Sequence, residues 1–210
     1  MALRHPSRSP APVRLYGSRV MMRPLAVNDF REWSEVRQRN GDWLTVWEPS
    51  RFAHQPDPTT DKSAFASRCL QRDRDRAAGT AFQFGLFIDG RVAGEVNLNN
   101  VIRGAMQGCT VGYWVDQVHA GRGYTVEGVA LIMQFAFEQL GLHRVEICIV
   151  PRNHRSRRIM EKLEIREEGI AERFLEINGT WEDHVRYGIT SEEWQRRRTD
   201  IVRTWIARTA

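Results

Sequence analysis

Three cysteines without a C-x-x-C pair, and no apolar run longer than nine residues, exclude several protein classes for this 210-residue chain. Cys69, Cys109 and Cys148 are odd in number and about forty residues apart, so sequence neighbours supply neither a zinc ribbon nor a dithiol centre. They read as reduced, mostly buried thiols, because free cysteine is among the most buried residue types. The longest apolar stretch, residues 129–137, is interrupted by Gln134 and falls far short of the roughly 18 residues of a membrane span. Proline and glycine total only 24, and 41% hydrophobic against 27% charged residues excludes disordered and low-complexity chains. Residues 1–14 contain no apolar core for a secretion signal, which predicts a cytoplasmic protein. The length suits one large domain. The expected division is a Pro/Arg-rich extension over 1–14, a folded domain over 15–195 and a basic helix end over 196–210.

The formal net charge is +5, and it is unevenly spread. Residues 1–14 carry three Arg and no acid, and residues 195–210 carry five Arg against Asp200, so the body between them is slightly acidic at −2. Basic ends of this kind either steer a protein towards RNA or a ribosomal surface, or are simply solvated.

Hydrophobic patterning predicts a strand over 19–25, then a helix capped by Asn28 or Asp29 and carrying Phe30, Trp33 and Val36. Residues 41–50 read as a loop, although Trp43, Leu44, Val46 and Trp47 make it costly to expose and suit it to lining a groove. A helix over 61–76 with Ala64, Phe65, Cys69 and Leu70 follows. Asp89-Gly90 and Asn178-Gly179 are type I′ turn pairs that predict two β-hairpins. Further strands are expected over 109–115 and 145–150, and helices over 126–140, over 154–163, and beyond a capping Ser191. Trp194 and Trp205 of this last helix would pack on their own domain or on a second copy. The order predicts a mixed α/β (α+β) sheet covered by helices.

The stretch 109–140 carries the chemistry. A strand that enters a turn with Gly121 and Gly123 and then a helix gathers backbone N–H groups and a positive dipole end in one small volume. That arrangement suits a pyrophosphate; it is equally the sequence of a tight strand-to-helix turn. It is not a P-loop, since no Gly-Lys-Ser/Thr follows, nor a dinucleotide fingerprint, since Val126 stands where the third glycine belongs.

Gly112-Tyr113-Trp114-Val115, then Ala120-Gly121-Arg122-Gly123-Tyr124-Thr125 and Glu127, resembles the acetyl-CoA loop of the GCN5-related N-acetyltransferases, with Ala120 and Thr125 as departures. Asn153-His154-Arg155-Ser156 resembles the family's second motif. Trp43-Leu44, Trp47-Glu48-Pro49, residues 100–104, and Asn178-Gly179 with Trp181, Asp183 and His184 narrow the resemblance to the RimJ/RimL type, which acetylates ribosomal-protein N-termini. Glu164 stands where these proteins commonly have glycine, and Thr110 where they commonly have Glu.

The resemblance implies a mostly antiparallel, splayed central sheet flanked by helices, and acetyl transfer from acetyl-CoA to a primary amine without an acyl-enzyme. The implied cofactor-binding residues are Trp114, Val115, Ala120, Gly121, Arg122, Gly123, Tyr124, Thr125, Asn153 and Ser156. Val115 N–H would hold the oxyanion, and Ser156 would orient the thiol end of the cofactor. Glu95, Glu176, Asp183 and His184 are candidate bases. Trp43, Trp47 and Glu48, with Asp183 and His184, would bind the acceptor, with Glu48 attracting its ammonium. No metal is implied. A small-molecule amine acceptor, or a ribosome- or RNA-associated protein that has lost catalysis, are the alternatives.

Overall fold

The structure, a computed structural model, describes residues 13–51 and 54–207. Most of the expected extension over 1–14, and Arg208 of the basic end, lie outside the described residues.

Strands β1 (Leu15–Tyr16), β2 (Val20–Arg23), β3 (Phe82–Ile88), β4 (Arg91–Ile102), β5 (Gly108–Val115), β6 (Arg144–Ile149), β7 (Arg166–Ile177) and β8 (Thr180–Thr190) form one sheet in the order β1-β2-β3-β4-β5-β6-β8-β7. Both predicted turns are present. Asp89 and Gly90 have φ of 49° and 77°, and Asn178 and Gly179 have 48° and 85°, the paired positive values a type I′ turn requires. Every neighbouring pair is antiparallel except β5–β6. That parallel pair is joined only from Gly108–Arg144 to Thr110–Glu146. Beyond it β6 stays with β8 as far as Ile149–Val185, while β5 stays with β4, so the sheet opens into a V between residues 111–115 and 147–149.

Helix α4 (Tyr124–Gln134) packs in the main core, where Val129, Ile132 and Met133 meet Met22, Phe84, Leu86, Val96 and Leu98. Helices α1 (Phe30–Arg39) and α3 (Lys62–Ala78) build a smaller core of Trp33, Phe65, Cys69, Phe87 and Val92. Helix α5 (His154–Leu163) follows β6, and α6 (Ser191–Ile201) closes the chain. Trp194 of α6 is buried and stacks on Phe137 with ring centres 5.6 Å apart, so this indole packs on its own domain.

Several local expectations are corrected. Residues 41–47 form a short helix, α2 (Gly41–Leu44), and a 3-10 turn rather than a loop. Asp29 does not cap α1; its carboxylate is held by Arg23 and by the Ala26 N–H. Asp61 caps α3, and Thr190 rather than Ser191 caps α6, in a reciprocal box with Glu193. Leu70 lies on the outer face of α3, 53% exposed. Glu164 takes φ of 49° at the end of α5, a left-handed position that costs a non-glycine residue about 1 kcal/mol. All three thiols are free, and burial raises their pKa, that of Cys109 to about 12, so they stay protonated at neutral pH.

Glu95 is corrected as a candidate base. It is fully buried and accepts from Trp33 Nε1 at 2.6 Å, Arg68 Nη2 at 2.9 Å and Arg72 Nη2 at 2.7 Å. Burial alone would raise its pKa, but the two guanidinium groups overcome it and hold the carboxyl well below its ordinary range. A carboxylate so held is a strut beneath the sheet, not an acceptor of substrate protons.

Because its folded pKa is depressed, Glu95 contributes stability that is fully present above the carboxyl range of the unfolded chain and is lost progressively as pH falls from there through its folded pKa. The melting temperature is expected to be level near neutrality and to fall below about pH 5. Glu95→Gln leaves Arg68 and Arg72 facing each other without their counter-charge, which should cost about 3–5 kcal/mol at pH 7 and flatten the acid slope. Urea midpoints measured across pH check both; an unchanged midpoint in Glu95→Gln would sink the strut reading.

Candidate active site

The V between β5 and β6 and the loop that follows β5 form one continuous site. Asp116 N–H donates to Ala93 C=O, so hydrogen-bonded positions on β5 alternate back through Trp114 and Gly112, and the N–H of Val115 and Tyr113 turn away from β4 into the V. Trp114 points to the opposite face, half-buried against the smaller core with Arg37 5.1 Å above its ring.

The exit of β5 is fixed by residues that sequence reasoning missed. Asp116 is buried and accepts from Arg39, from Asn40 Nδ2 at 2.9 Å and from the Val118 N–H, while Asn40 Oδ1 accepts from Gln117 N–H. A 3-10 turn and Ala120 then lead into the glycine pair. Gly121 and Gly123 have φ of 78° and 87°, which other residues adopt only with strain. Gly123 caps α4 without a side chain, and no acceptor among the described residues meets the N–H groups of Tyr124, Thr125 and Val126. Three open donors at a helix N-terminus, approached over two glycines and flanked by exposed Arg122, fit an anionic diphosphate.

Across the V, Asn153 caps α5 through its side chain, which accepts the Ser156 N–H at 3.1 Å. Ser156 Oγ meets Tyr113 Oη at 2.9 Å. Burial raises the Tyr113 pKa well above that of free tyrosine, so its hydroxyl stays protonated. The pair bridges the V with a proton-bearing hydrogen bond, and Tyr113 is a site residue that only its place in the Gly-Tyr-Trp run could have indicated.

Residues 41–50 form a strap between the entry to α5 and the β7–β8 turn. Arg155 stacks on Trp43 at 4.5 Å and Arg152 on Trp47 at 4.7 Å. The Glu48 carboxylate is gripped by Arg37 through two hydrogen bonds of 2.7 Å, so the expectation that it receives an ammonium is corrected. Glu176 is corrected as a base. Its carboxylate accepts from Ser50 N–H, Ser50 Oγ and Gly179 N–H, contacts that lower its pKa and weaken its basicity. Together with Asn178 N–H on Glu48 C=O, it ties the strap to the β7–β8 turn. Asp183 is exposed, accepts the Arg173 N–H at 2.8 Å, and lines a cleft of about 320 Å³ with Trp181, Glu182 and Pro151 just beyond β6. His184 is buried, with Nδ1 3.0 Å from the Glu182 carbonyl. A carbonyl only accepts, so Nδ1 is the donor in this contact.

Among the described residues no helix is long and apolar enough to cross a membrane, and no cluster of His, Cys, Asp and Glu could hold a metal ion. Residues 19–166 match the family described as Acetyltransferase (GNAT) domain. The chain is 35% identical to the probable N-acetyltransferase YjcK of Bacillus subtilis, covering 81% of this chain and 93% of that protein. It is 30% identical to the [ribosomal protein uS5]-alanine N-acetyltransferase of Escherichia coli, over 87% of this chain and 93% of that one. The solved structure of Mycobacterium smegmatis RimJ in complex with CoA-disulfide superposes with a TM-score of 0.81 at 29% identity, covering 91% of each chain. The open V, the glycine pair and these matches together establish that the chain belongs to the GNAT acetyltransferases and is an N-acetyltransferase.

Proposed function

We propose that this enzyme moves the acetyl group of acetyl-CoA onto the α-amine of a protein N-terminus, most plainly that of a ribosomal protein in the cytoplasm. The observation that carries the cofactor half is the pair of left-handed glycines opening α4 beside the V. The acceptor half is supported by the 30% identity to the uS5-alanine N-acetyltransferase over most of both chains.

Bound acetyl-CoA supplies the acetyl group as a thioester, a carbonyl already open to amine attack. The first-turn N–H groups of α4, with Gly121 and Gly123 beneath them, receive the diphosphate. Val115 N–H, turned into the V, donates to the oxygen that gains negative charge as the amine adds. The Tyr113–Ser156 pair donates a hydrogen bond to the departing thiolate and relays to it, through water, the proton that the amine gives up. The amine, with an ordinary pKa near 8, is largely protonated at neutrality, and one of the remaining candidate bases takes its proton through water as attack proceeds. With Glu95 and Glu176 engaged elsewhere, His184 and the exposed carboxylate of Asp183 are the candidate bases that remain. Trp43 and Trp47 wall the acceptor side, and Asp183 with Trp181 offers a carboxylate and an indole face to the incoming chain end.

Free-thiol release should therefore depend on peptides with an unblocked N-terminal Ala, Ser or Thr, and stop when that amine is acetylated. Ser156→Ala should lower kcat on the order of 10²-fold with the KM for acetyl-CoA little changed. Turnover of a polyamine or aminoglycoside, with none of the peptides, would replace the protein acceptor by a small amine.

A further inference from the structure

We propose that Arg19 is a positioning residue for the cofactor's diphosphate, acting through the Arg122–Gly123 peptide; this rests on the cofactor site proposed above. The β1–β2 turn is fastened to the first turn of α4 by one buried carboxylate. Glu127, fully buried, accepts Arg19 N–H at 2.8 Å, Val20 N–H and Ser18 Oγ at 3.3 Å each, and Arg19 Nε at 3.0 Å. The approach requires glycine at position 17, where a Cβ would stand 2.3 Å from Glu127 Oε1.

Fixed in this way, the Arg19 side chain reaches over the glycine loop. Nη1 donates to the Arg122 carbonyl at 3.0 Å, the guanidinium lies 5.0 Å from the Tyr124 ring centre, and Nη2 is 3.2 Å from where a Cβ of Gly123 would be. A trans peptide is planar, with its C=O and N–H pointing in opposite directions. Holding the Arg122 carbonyl on Arg19 therefore turns the Gly123 N–H away from the guanidinium. Two glycines leave this loop free to rotate its peptides, and an anion-binding turn works only when successive N–H groups converge. Arg19 is the restraint from outside the loop that supplies that convergence.

The test measures binding of CoA, dephospho-CoA and pantetheine to the full chain by calorimetry, with melting temperatures alongside. Dephospho-CoA keeps the diphosphate, and pantetheine lacks it. Arg19→Met should weaken CoA and dephospho-CoA alike, by about tenfold for a lost charge-assisted hydrogen bond, and leave pantetheine binding unchanged. Arg19→Lys keeps a cation for Glu127 but cannot also span to the Arg122 carbonyl, so it should recover the melting temperature without recovering CoA affinity. Equal weakening of all three ligands, or recovery of both properties by lysine, overturns the proposal in favour of a purely structural ion pair. A wild-type chain that binds CoA no better than pantetheine overturns the cofactor site and this proposal with it. A wild type that does discriminate, with Arg19→Met unchanged, overturns the role of Arg19 alone.

Discussion

The parting of β5 from β6 after Thr110 and Glu146 is the constraint on which the rest of the structure depends. Backbone groups freed inside a sheet need new partners or a use, because an unpaired buried N–H is costly. Here each arm of the V is held by its other neighbour, β4 on one side and β8 on the other, so the opening persists without unravelling the sheet. Its inward N–H groups, Val115 foremost, stay available for a ligand. The two connections that leave the V are clamped as well: Asp116 and Asn40 fix the exit of β5, and Asn153 caps the helix that follows β6.

Buried carboxylates recur at the points where this opening needs bracing. Glu95 lies under the arm formed by β4 and β5, Asp116 at its tip, and Glu127 beneath the glycine loop, each meeting at least one guanidinium. Of the 31 basic residues, 29 are Arg. A planar fork spreads five donors in fixed directions, where an ammonium gathers three at one point, and Arg19, Arg37, Arg68 and Arg144 each satisfy more than one contact. A chain this rich in planar cations can hold single acidic side chains below its sheet and still leave its backbone donors for the ligand.

What was legible in the sequence was local. Asp89-Gly90 and Asn178-Gly179 encode their own turn geometry, and Gly121 and Gly123 encode left-handed backbone at the start of α4, so hairpins and cofactor loop could be placed from neighbouring residues alone. Glu95, Glu48 and Glu176 could not, since their roles depend on partners 11 to 126 positions away. A glutamate in a strand has the same sequence signal whether it faces solvent, substrate or two buried arginines. The helix and 3-10 turn over 41–47 were missed for a related reason: Trp43 and Trp47 are stacked on by Arg155 and Arg152 from the far side of the V, not set by helical periodicity. Arg19 and Glu127 look like an unremarked surface pair until the fold puts 108 positions of separation at 3.0 Å.

This division between local and long-range encoding separates the two halves of the reaction. The proposed cofactor half rests on backbone groups in one continuous run, 112–126, where the left-handed positions are the two glycines and not Ala120 or Thr125, so those departures leave its shape intact. The proposed acceptor half draws on side chains of the strap at 43–50, the entry to α5 and the β7–β8 hairpin, held together by stacking and by single carboxylates. Side-chain contacts of that kind can be exchanged without disturbing the V or the glycine loop. A shared cofactor site with a replaceable acceptor wall is the physical arrangement under which relatives at about 30% identity can keep one chemistry and differ in the amine they receive.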